Sequence, residues 1–219
     1  MRKPGFELVI FDCDGVLVDS EPIANRVFVE MLSELGVQTS LEDMYANFVG
    51  HPMSYCMQLV ERRLGHAPPA DFEARLQERT FSAFEAERLQ AMPYIFEALD
   101  QISIATCVAS SGEIQKMRFT LGITGLLSRF EGRLFSVTQV ERGKPAPDIY
   151  LFAAKTMGVS PARCVVVEDS PVGAQAGLRA GMTVLGFAGH TSAQQLMDVG
   201  VQRTFAAMRD LPAILAAGG

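Results

Sequence analysis

The chain has 219 residues, of which 48% are hydrophobic, and it carries a formal net charge of −6 at pH 7. This length can bury a core and leaves room for one domain with a smaller one appended. The acidic balance and the lack of a lysine and arginine cluster argue against nucleic acid as a partner. No apolar run approaches the length of a membrane span, and the first eleven residues lack the features of a signal peptide, so we expect a cytoplasmic protein.

The cysteines are scattered along the chain, without the spacing of a zinc site or a disulfide framework (Cys13, Cys56, Cys107, Cys164). Three of the four lie in or beside predicted buried strands. This usage is typical of a reducing compartment and agrees with the expected cytoplasmic location.

The first predicted element is a buried strand over residues 6–11, an apolar run that ends in two acidic residues. Asp12 and Asp14 are separated by one residue and followed by Gly15. In open α/β sheets, ligands bind at the carboxyl ends of the strands. Two carboxylates at such an end can share a divalent cation. Their mutual repulsion separates their pKa values, so that one can be a nucleophile and the other an acid.

Two other interpretations of this Asp-x-Asp-Gly segment stay open at this point. A calcium loop of the EF-hand type is disfavoured, because its glycine stands at the sixth position and the loop follows a helix. A solvated acidic turn would use the same residues. The choice between a turn and a site depends on the segments that follow.

The segment 19–92 is predicted to be helical throughout, because it contains no strand-like apolar run. In its first helix, Pro22 favours the start and Gly36 the end, with apolar residues at a spacing of four between them. After this segment, strand and helix patterns alternate. The sequence therefore predicts an α/β core domain of residues 1–18 and 93–219, interrupted by a helical domain of residues 19–92.

A second strand is predicted over residues 106–110, and it ends in the hydroxyl residues Ser110 and Ser111 before a helix that begins near Gly112. The N-terminus of a helix presents unpaired N–H groups and the positive end of the helix dipole, so this turn can hold an anion. The same Ser-Ser-Gly turn is also a common helix cap, and the segment alone does not decide between the two.

Two prolines restrict the backbone around Lys144 in the segment 143–148. The position of its ammonium group is therefore restricted. This group can neutralise phosphoryl oxygens or stabilise a nucleophilic carboxylate. We expect Asp148 to cap the helix that follows.

A further buried strand is predicted over residues 164–167, and it ends in Glu168 and Asp169. Asp169 is placed to join the acids of the first strand in binding a shared divalent cation. Ser170 and Pro171 fit the start of a helix, so a capping role for Asp169 is the alternative interpretation. The two roles are compatible with each other.

Taken together, these segments resemble the motifs of the haloacid dehalogenase superfamily. They occur in the same order: the strand-end Asp-x-Asp, the strand-end serine, the Gly-Lys-Pro segment and the strand-end Glu-Asp. The likeness is greatest to its sugar-phosphate phosphatase and mutase branch, covers essentially the whole chain and leaves every motif intact. It implies an α/β fold with a Rossmann-like, doubly wound parallel sheet and an inserted all-helical cap domain. It also implies a Mg²⁺-dependent hydrolase of phosphoric monoesters that forms an aspartyl phosphate. Within the branch, the pattern most resembles 6-phosphogluconate phosphatases, which share Arg26 and the Asp-Ser-Glu start of the cap.

The resemblance also implies a role for each motif residue. Asp12 would be the nucleophile, and Asp14 would protonate the leaving group and then activate water. The implied substrate-binding residues are Ser110, Ser111, Lys144 and, on the cap loop 50–53, His51. The implied ligands of Mg²⁺ are Asp12, the backbone carbonyl of Asp14, Asp169 and, directly or through water, Glu168.

The same residues distinguish this activity from others that the superfamily contains. A true dehalogenase lacks the second motif aspartate, which is present here, and a phosphonate-cleaving enzyme needs a cap lysine, which residues 19–92 do not contain. A β-phosphoglucomutase shares the core motifs but carries a histidine and an arginine where this chain has Ala24 and Met53. A non-catalytic phosphate-binding protein would have lost Asp12 or Asp14. We therefore expect a phosphatase of small sugar or sugar-acid monophosphates that binds neither nucleic acid nor a membrane. The sequence is compatible with a monomer.

Overall fold

The computed structural model describes residues 5–49 and 53–218. Contacts within the chain divide it into two units. One unit comprises the residues up to Asp19 together with those from Gln90 onward, and the other comprises Ser20–Leu89. Among the described residues, every helix is too short or too polar to cross a membrane.

The larger unit is built on one parallel sheet. Its strands in the described residues are β1 (Leu8–Phe11), β2 (Ala105–Ser110), β3 (Leu134–Ser136), β4 (Cys164–Glu168), β5 (Thr183–Phe187) and β6 (Arg203–Phe205). They lie in the order β3-β2-β1-β4-β5-β6, and every neighbouring pair is parallel. This is the strand order of the Rossmann-like doubly wound fold, so the predicted fold class is confirmed.

The smaller unit is all-helical in its described residues. Its helices are α1 (Glu21–Glu34), α2 (Leu41–Asn47), α3 (Met53–Leu64) and α4 (Phe72–Ala86). Ser40 caps α2, because its Oγ accepts a hydrogen bond from the backbone N–H of Asp43. The helices enclose an apolar core of their own, which includes Val27, Met31, Leu32, Met44, Val60 and Phe72. Such a core is what an independently packed helical insert requires. The description of this unit as a cap domain stays a prediction.

The helices of the larger unit alternate with its strands. They are α5 (Ile95–Gln101), α6 (Ile114–Ile123), α7 (Leu127–Phe130), α8 (Asp148–Thr156), α9 (Pro171–Arg179), α10 (Ala193–Asp198) and α11 (Leu211–Ala216). The expected cap of α8 was wrong: Pro147 stands at the N-cap, and Asp148 instead accepts hydrogen bonds at 3.1 and 3.0 Å from Arg142. The carboxylate of Asp148 is therefore used in a surface ion pair.

Side chains from both faces of the sheet are buried. Because successive strand residues point to opposite faces, Leu8 and Ile10 of β1 share one face, where they join a core cluster with residues of α8 and α9. On the other face, Phe11 packs edge-to-face on Phe130 of α7, with ring centroids 6.1 Å apart. With β1 buried on both sides, its carboxyl end is held rigidly.

Candidate active site

The carboxyl ends of three adjacent strands bring the sequence-predicted residues together. β1 pairs with β2 on one side and with β4 on the other, and Ile10 lies level with both Cys107 and Val166. Asp12 follows β1, Ser110 ends β2 and Glu168 ends β4. Side chains from distant parts of the sequence therefore meet at one edge of the sheet, at the point where the strand order reverses.

The loop after β1 is held by backbone hydrogen bonds. The N–H of Asp12 donates to Val167 of the neighbouring strand at 3.0 Å, and the N–H of Gly15 donates to Val18 at 2.9 Å. Gly15 has a φ of +75°, which favours glycine, and a β-carbon there would lie 2.1 Å from Oδ2 of Asp169. Gly15 therefore serves two purposes, the turn and the close approach of Asp169.

Three buried carboxylates form the centre of the site. Asp12, Glu168 and Asp169 each offer an oxygen within 4.8 Å of the others. Burial raises the pKa of Asp12 to about 7; Lys144 opposes this rise, and the neighbouring Glu168 adds to it. A hard divalent cation such as Mg²⁺ prefers such oxygen ligands and would offset the repulsion among them, so the residues present fit this metal.

Lys144 lies within this acidic cluster. Its Nζ atom donates hydrogen bonds to Oδ1 of Asp12 and Oε1 of Glu168, both at 2.7 Å, and to the carbonyl of Ala109 at 3.2 Å. Burial alone would lower the pKa of Lys144, but the two carboxylates more than offset this and raise it well above its usual range. The ammonium group therefore stays charged and balances part of the charge of the cluster.

Glu168 is surrounded by donors from the protein. Its Oε1 accepts hydrogen bonds from Lys144 and, at 2.8 Å, from the hydroxyl of Tyr150, while Oε2 accepts from the N–H and Oγ of Ser170, both at 2.9 Å. Burial would raise the pKa of Glu168, but Lys144 and the other donors lower it. By distance Glu168 belongs to the carboxylate cluster. Its hydrogen bonds, however, favour a role in holding Lys144 over direct ligation of a metal, because two donors already occupy each oxygen.

The turn after β2, which is predicted to hold an anion, is fixed by hydrogen bonds of its own. Ser110 is buried, and its Oγ accepts a hydrogen bond from the N–H of Gly112 at 3.0 Å. The Oγ of Ser136, at the end of β3, donates to the carbonyl of Gly112 at 2.8 Å and so holds the turn in place. Ser111 is exposed. His51, the predicted substrate-binding residue of the helical segment, lies outside the described residues.

Asp14 has a lysine partner that the sequence interpretation missed. The Nζ atom of Lys116, on α6, lies 2.8 Å from Oδ2 of Asp14. Burial would lower the pKa of Lys116, but Asp14 raises it, so this ammonium is also charged. The rarity of lysine could have pointed to Lys116 from the sequence, because the chain has only four lysines against fifteen arginines.

Cys13 stands between the two aspartates, but its thiol is unsuited to nucleophilic attack. Burial raises its pKa well above the usual range, and the charges of Asp14 and Asp12 raise it further. Because the thiolate is the reactive form, this environment keeps Cys13 inert.

A Rossmann-like parallel sheet with a buried carboxylate cluster at its carboxyl edge is typical of an α/β enzyme, and this cluster could bind a divalent cation. The chain belongs to the haloacid dehalogenase-like hydrolases, whose family model matches residues 6–181. It is 35% identical to the 6-phosphogluconate phosphatase of Escherichia coli, over 97% of this chain and 96% of that protein. It is also 32% identical to hexitol phosphatase A of the same organism, over 84% and 83% of the two chains.

Solved structures agree with this assignment. A haloacid dehalogenase-like protein of unknown function from Agrobacterium tumefaciens superimposes with a TM-score of 0.87 at 36% identity, covering 97% of this chain and 99% of that one. A haloacid dehalogenase family hydrolase from Deinococcus radiodurans, solved with bound phosphate and sodium, has a TM-score of 0.82 at 32% identity, covering 98% and 96%. The predicted enzyme class, a phosphoric monoester hydrolase, is confirmed by these phosphatase relatives.

Proposed function

We propose that this protein is a Mg²⁺-dependent phosphatase of small sugar or sugar-acid monophosphates, and that it acts through an aspartyl phosphate on Asp12. The observation that carries the proposal is the pairing of the two loop acids with separate lysines, Asp12 with Lys144 and Asp14 with Lys116. The two carboxylates thereby occupy different environments, as a nucleophile and an acid–base residue require.

In the proposed reaction, a carboxylate oxygen of Asp12 attacks the phosphorus atom while the bond from phosphorus to the sugar oxygen breaks. Asp14 donates its proton to that departing oxygen. Asp14 then removes a proton from the water molecule that attacks the aspartyl phosphate, which releases phosphate and restores both residues. Lys144, the Oγ of Ser110 and N–H groups of the following turn would hold the phosphoryl oxygens.

Asp12, Asp169 and the backbone carbonyl of Asp14 would hold Mg²⁺. When bound, the metal supplies positive charge that stabilises the phosphoryl oxygens in the transition state. Glu168 would act mainly through Lys144, since each of its oxygens already accepts two hydrogen bonds.

The substrate class is supported by the names of the relatives and by charge. The relatives include phosphatases named for 6-phosphogluconate, hexitol phosphates and fructose 1-phosphate. Between Asp19 and Met92 there are twelve acidic residues and six arginines, a net charge of −6 that equals the charge of the whole chain. An acidic helical unit does not favour polyanions, which points to monophosphates. Arg26 pairs with Glu30 and Glu87 within this unit.

A mutase is the second candidate, because a putative β-phosphoglucomutase from Thermotoga maritima has a TM-score of 0.78 at 27% identity, covering 97% of this chain and 99% of that one. Ala24, in α1, and Met53, at the start of α3, carry no charge where a mutase of this branch places its histidine and arginine. Without such an arginine, a bisphosphate intermediate lacks a grip on its second phosphate.

The proposal is tested by measuring phosphate release from p-nitrophenyl phosphate and from a panel of sugar and sugar-acid monophosphates, with Mg²⁺ and after its removal with EDTA. We expect Mg²⁺-dependent hydrolysis, with the highest kcat/KM on a member of the panel. Incubation of β-glucose 1-phosphate with a trace of glucose 1,6-bisphosphate tests the mutase. Formation of glucose 6-phosphate without phosphate release would replace the phosphatase proposal, and no turnover of any ester would reject both activities.

A further inference from the structure

The use of lysine in this chain is selective. The lysines are Lys3, Lys116, Lys144 and Lys155, whereas fifteen arginines supply most of the positive charge. Two of these four lysines lie beside the two loop aspartates, one on each. Arginine predominates among the surface ion pairs, for example Arg129 with Asp100. The two acids of the site are therefore matched by the cation that is rare in the rest of the chain.

The two lysines differ in their surroundings. The side chain of Lys144 is 5% exposed and contacts two carboxylates, whereas that of Lys116 is 29% exposed and contacts Asp14, whose side chain is 26% exposed. The ion pair of Lys116 with Asp14 is therefore only partly buried.

The stem of Lys116 is supported by the turn after β2. A β-carbon at Gly112 would lie 3.3 Å from Cδ of Lys116 and 3.9 Å from Oδ2 of Asp14, so the backbone of Gly112 packs against both. Ser136 holds the carbonyl of Gly112 by a hydrogen bond. The ion pair thus rests on a turn that is itself anchored to the neighbouring strand.

We infer that Lys116 is a positioning residue that holds the carboxyl group of Asp14 by Oδ2 for its proton transfer to the leaving group. This inference rests on the proposed phosphatase function. Asp14 loses its proton to the sugar oxygen as the phosphorus–oxygen bond breaks, and it recovers a proton from the water that hydrolyses the aspartyl phosphate. The contact between Nζ of Lys116 and Oδ2 of Asp14 would fix the position of this carboxyl group through both transfers.

The residue type fits this role. An ammonium group on a flexible stem makes a single-point contact and can follow a carboxyl group through its proton cycle. The role differs from that of Lys144, which contacts the nucleophile.

The test compares kcat/KM for a sugar phosphate and for p-nitrophenyl phosphate, in the presence of Mg²⁺. This parameter reports the steps up to leaving-group departure, and p-nitrophenolate leaves without a proton. We expect Lys116→Met to lower kcat/KM about 100-fold for the sugar phosphate, the size typical of general acid catalysis, and by less than about threefold for p-nitrophenyl phosphate. The loss should appear in kcat and not in KM. Lys116→Arg, which keeps the charge, should recover at least about tenfold of the loss.

Lys155→Met is the matched control, because Lys155 is an exposed lysine of α8 with no assigned part in the site. This variant should have the activity of the wild-type protein. Equal losses on both substrates, a change confined to KM, or an arginine variant no better than the methionine variant would overturn the inference while leaving the phosphatase proposal intact. A wild-type protein inactive on every phosphate ester would overturn the phosphatase proposal and the inference with it.

Discussion

A β-carbon on Gly173 would lie 1.6 Å from Oε1 of Glu168, so the first turn of α9 lies directly against that carboxylate. The N–H of Gly173 also donates to Oγ of Ser170, the cap of the same helix, at 3.0 Å. The close approach lets one short segment both begin a helix and surround Glu168 with donors. The absence of a side chain at this position is therefore a requirement of the site.

The first prediction concerns this contact. Gly173→Ala should displace Glu168 and with it Lys144, and we expect a loss of about 1–3 kcal/mol in the free energy of unfolding, as is typical of overpacking, together with a loss of phosphatase activity. Gly122→Ala, in α6, is the control, because no atom lies within 4 Å of its added carbon, and it should be neutral or slightly stabilising. Urea denaturation measures the free energy of unfolding of both variants, and kcat measures their phosphatase activity. A Gly173→Ala protein with wild-type stability and turnover would contradict the packing argument.

The second prediction concerns the nucleophile. Asp12→Asn removes the attacking oxygen and a metal ligand together, so kcat should fall by at least about 10⁴-fold. Beryllium fluoride with Mg²⁺ mimics a phosphoryl group on an aspartate and should inhibit the wild-type protein. Asp100→Asn, at an exposed surface ion pair, is the control and should retain full activity. Near-native turnover of the Asp12 variant would exclude the covalent mechanism.

The third prediction separates the two steps assigned to Asp14. Asp14→Asn should still accept a phosphoryl group from p-nitrophenyl phosphate, whose leaving group needs no proton, but should lose activity on sugar phosphates by about 10²–10⁴-fold in kcat/KM. The burst of p-nitrophenol in rapid-mixing experiments measures the first step. If both substrates lost kcat/KM equally, the assigned protonation of the leaving group would be wrong.

The fourth prediction follows from the pKa of Asp12. Burial raises this pKa from its ordinary value of 3.8 to about 7. The folded protein therefore binds a proton more tightly than the unfolded chain does, and this contribution to stability is lost as the pH rises through that interval. In the absence of metal, Asp12→Asn should become more stable relative to wild type as the pH rises from about 5 to about 8. Thermal unfolding measures the difference.

Addition of Mg²⁺ supplies the control for this experiment. Because the cation binds the charged carboxylate, it should raise the Tm of the wild-type protein more at about pH 8 than at about pH 5, and it should act only weakly on the Asp12 variant. A difference in Tm between the two proteins that did not change with pH would contradict the raised pKa of Asp12.

The fifth prediction concerns the thiols. All four cysteines are buried, and burial raises their pKa values, to about 11 for Cys56 and Cys164. The native protein should therefore react slowly with a disulfide reagent such as DTNB at about pH 8, and its activity should survive the treatment. In denaturant, all four thiols should react at once. Rapid loss of activity on labelling of Cys13 in the native protein would show an accessible thiolate at the site.

Local patterns in the sequence predicted the strands and their ends well. β1, β2 and β4 are short apolar runs, and such runs are buried in a parallel sheet whatever lies beside them. Their carboxyl ends carry Asp12, Ser110 and Glu168, so the approximate place of the site could be predicted. The predicted cap of α8 was wrong because the helix begins at Asp148 itself, one residue after the N-cap position, and the carboxylate of Asp148 pairs with Arg142 instead.

By itself, the amino-acid sequence determined the strand ends, the turn at Gly15 and the separate helical segment, because each depends on residues that are neighbours along the chain. Only the tertiary structure decided which charges meet. Lys116 reaches Asp14 across 102 residues and Lys144 reaches Asp12 across 132, and the hydroxyl of Tyr150 joins Glu168 from an otherwise apolar helix face. These partners are chosen by distance and burial in three dimensions, since the strength of an ion pair depends on separation in space and on the surrounding dielectric and not on sequence spacing.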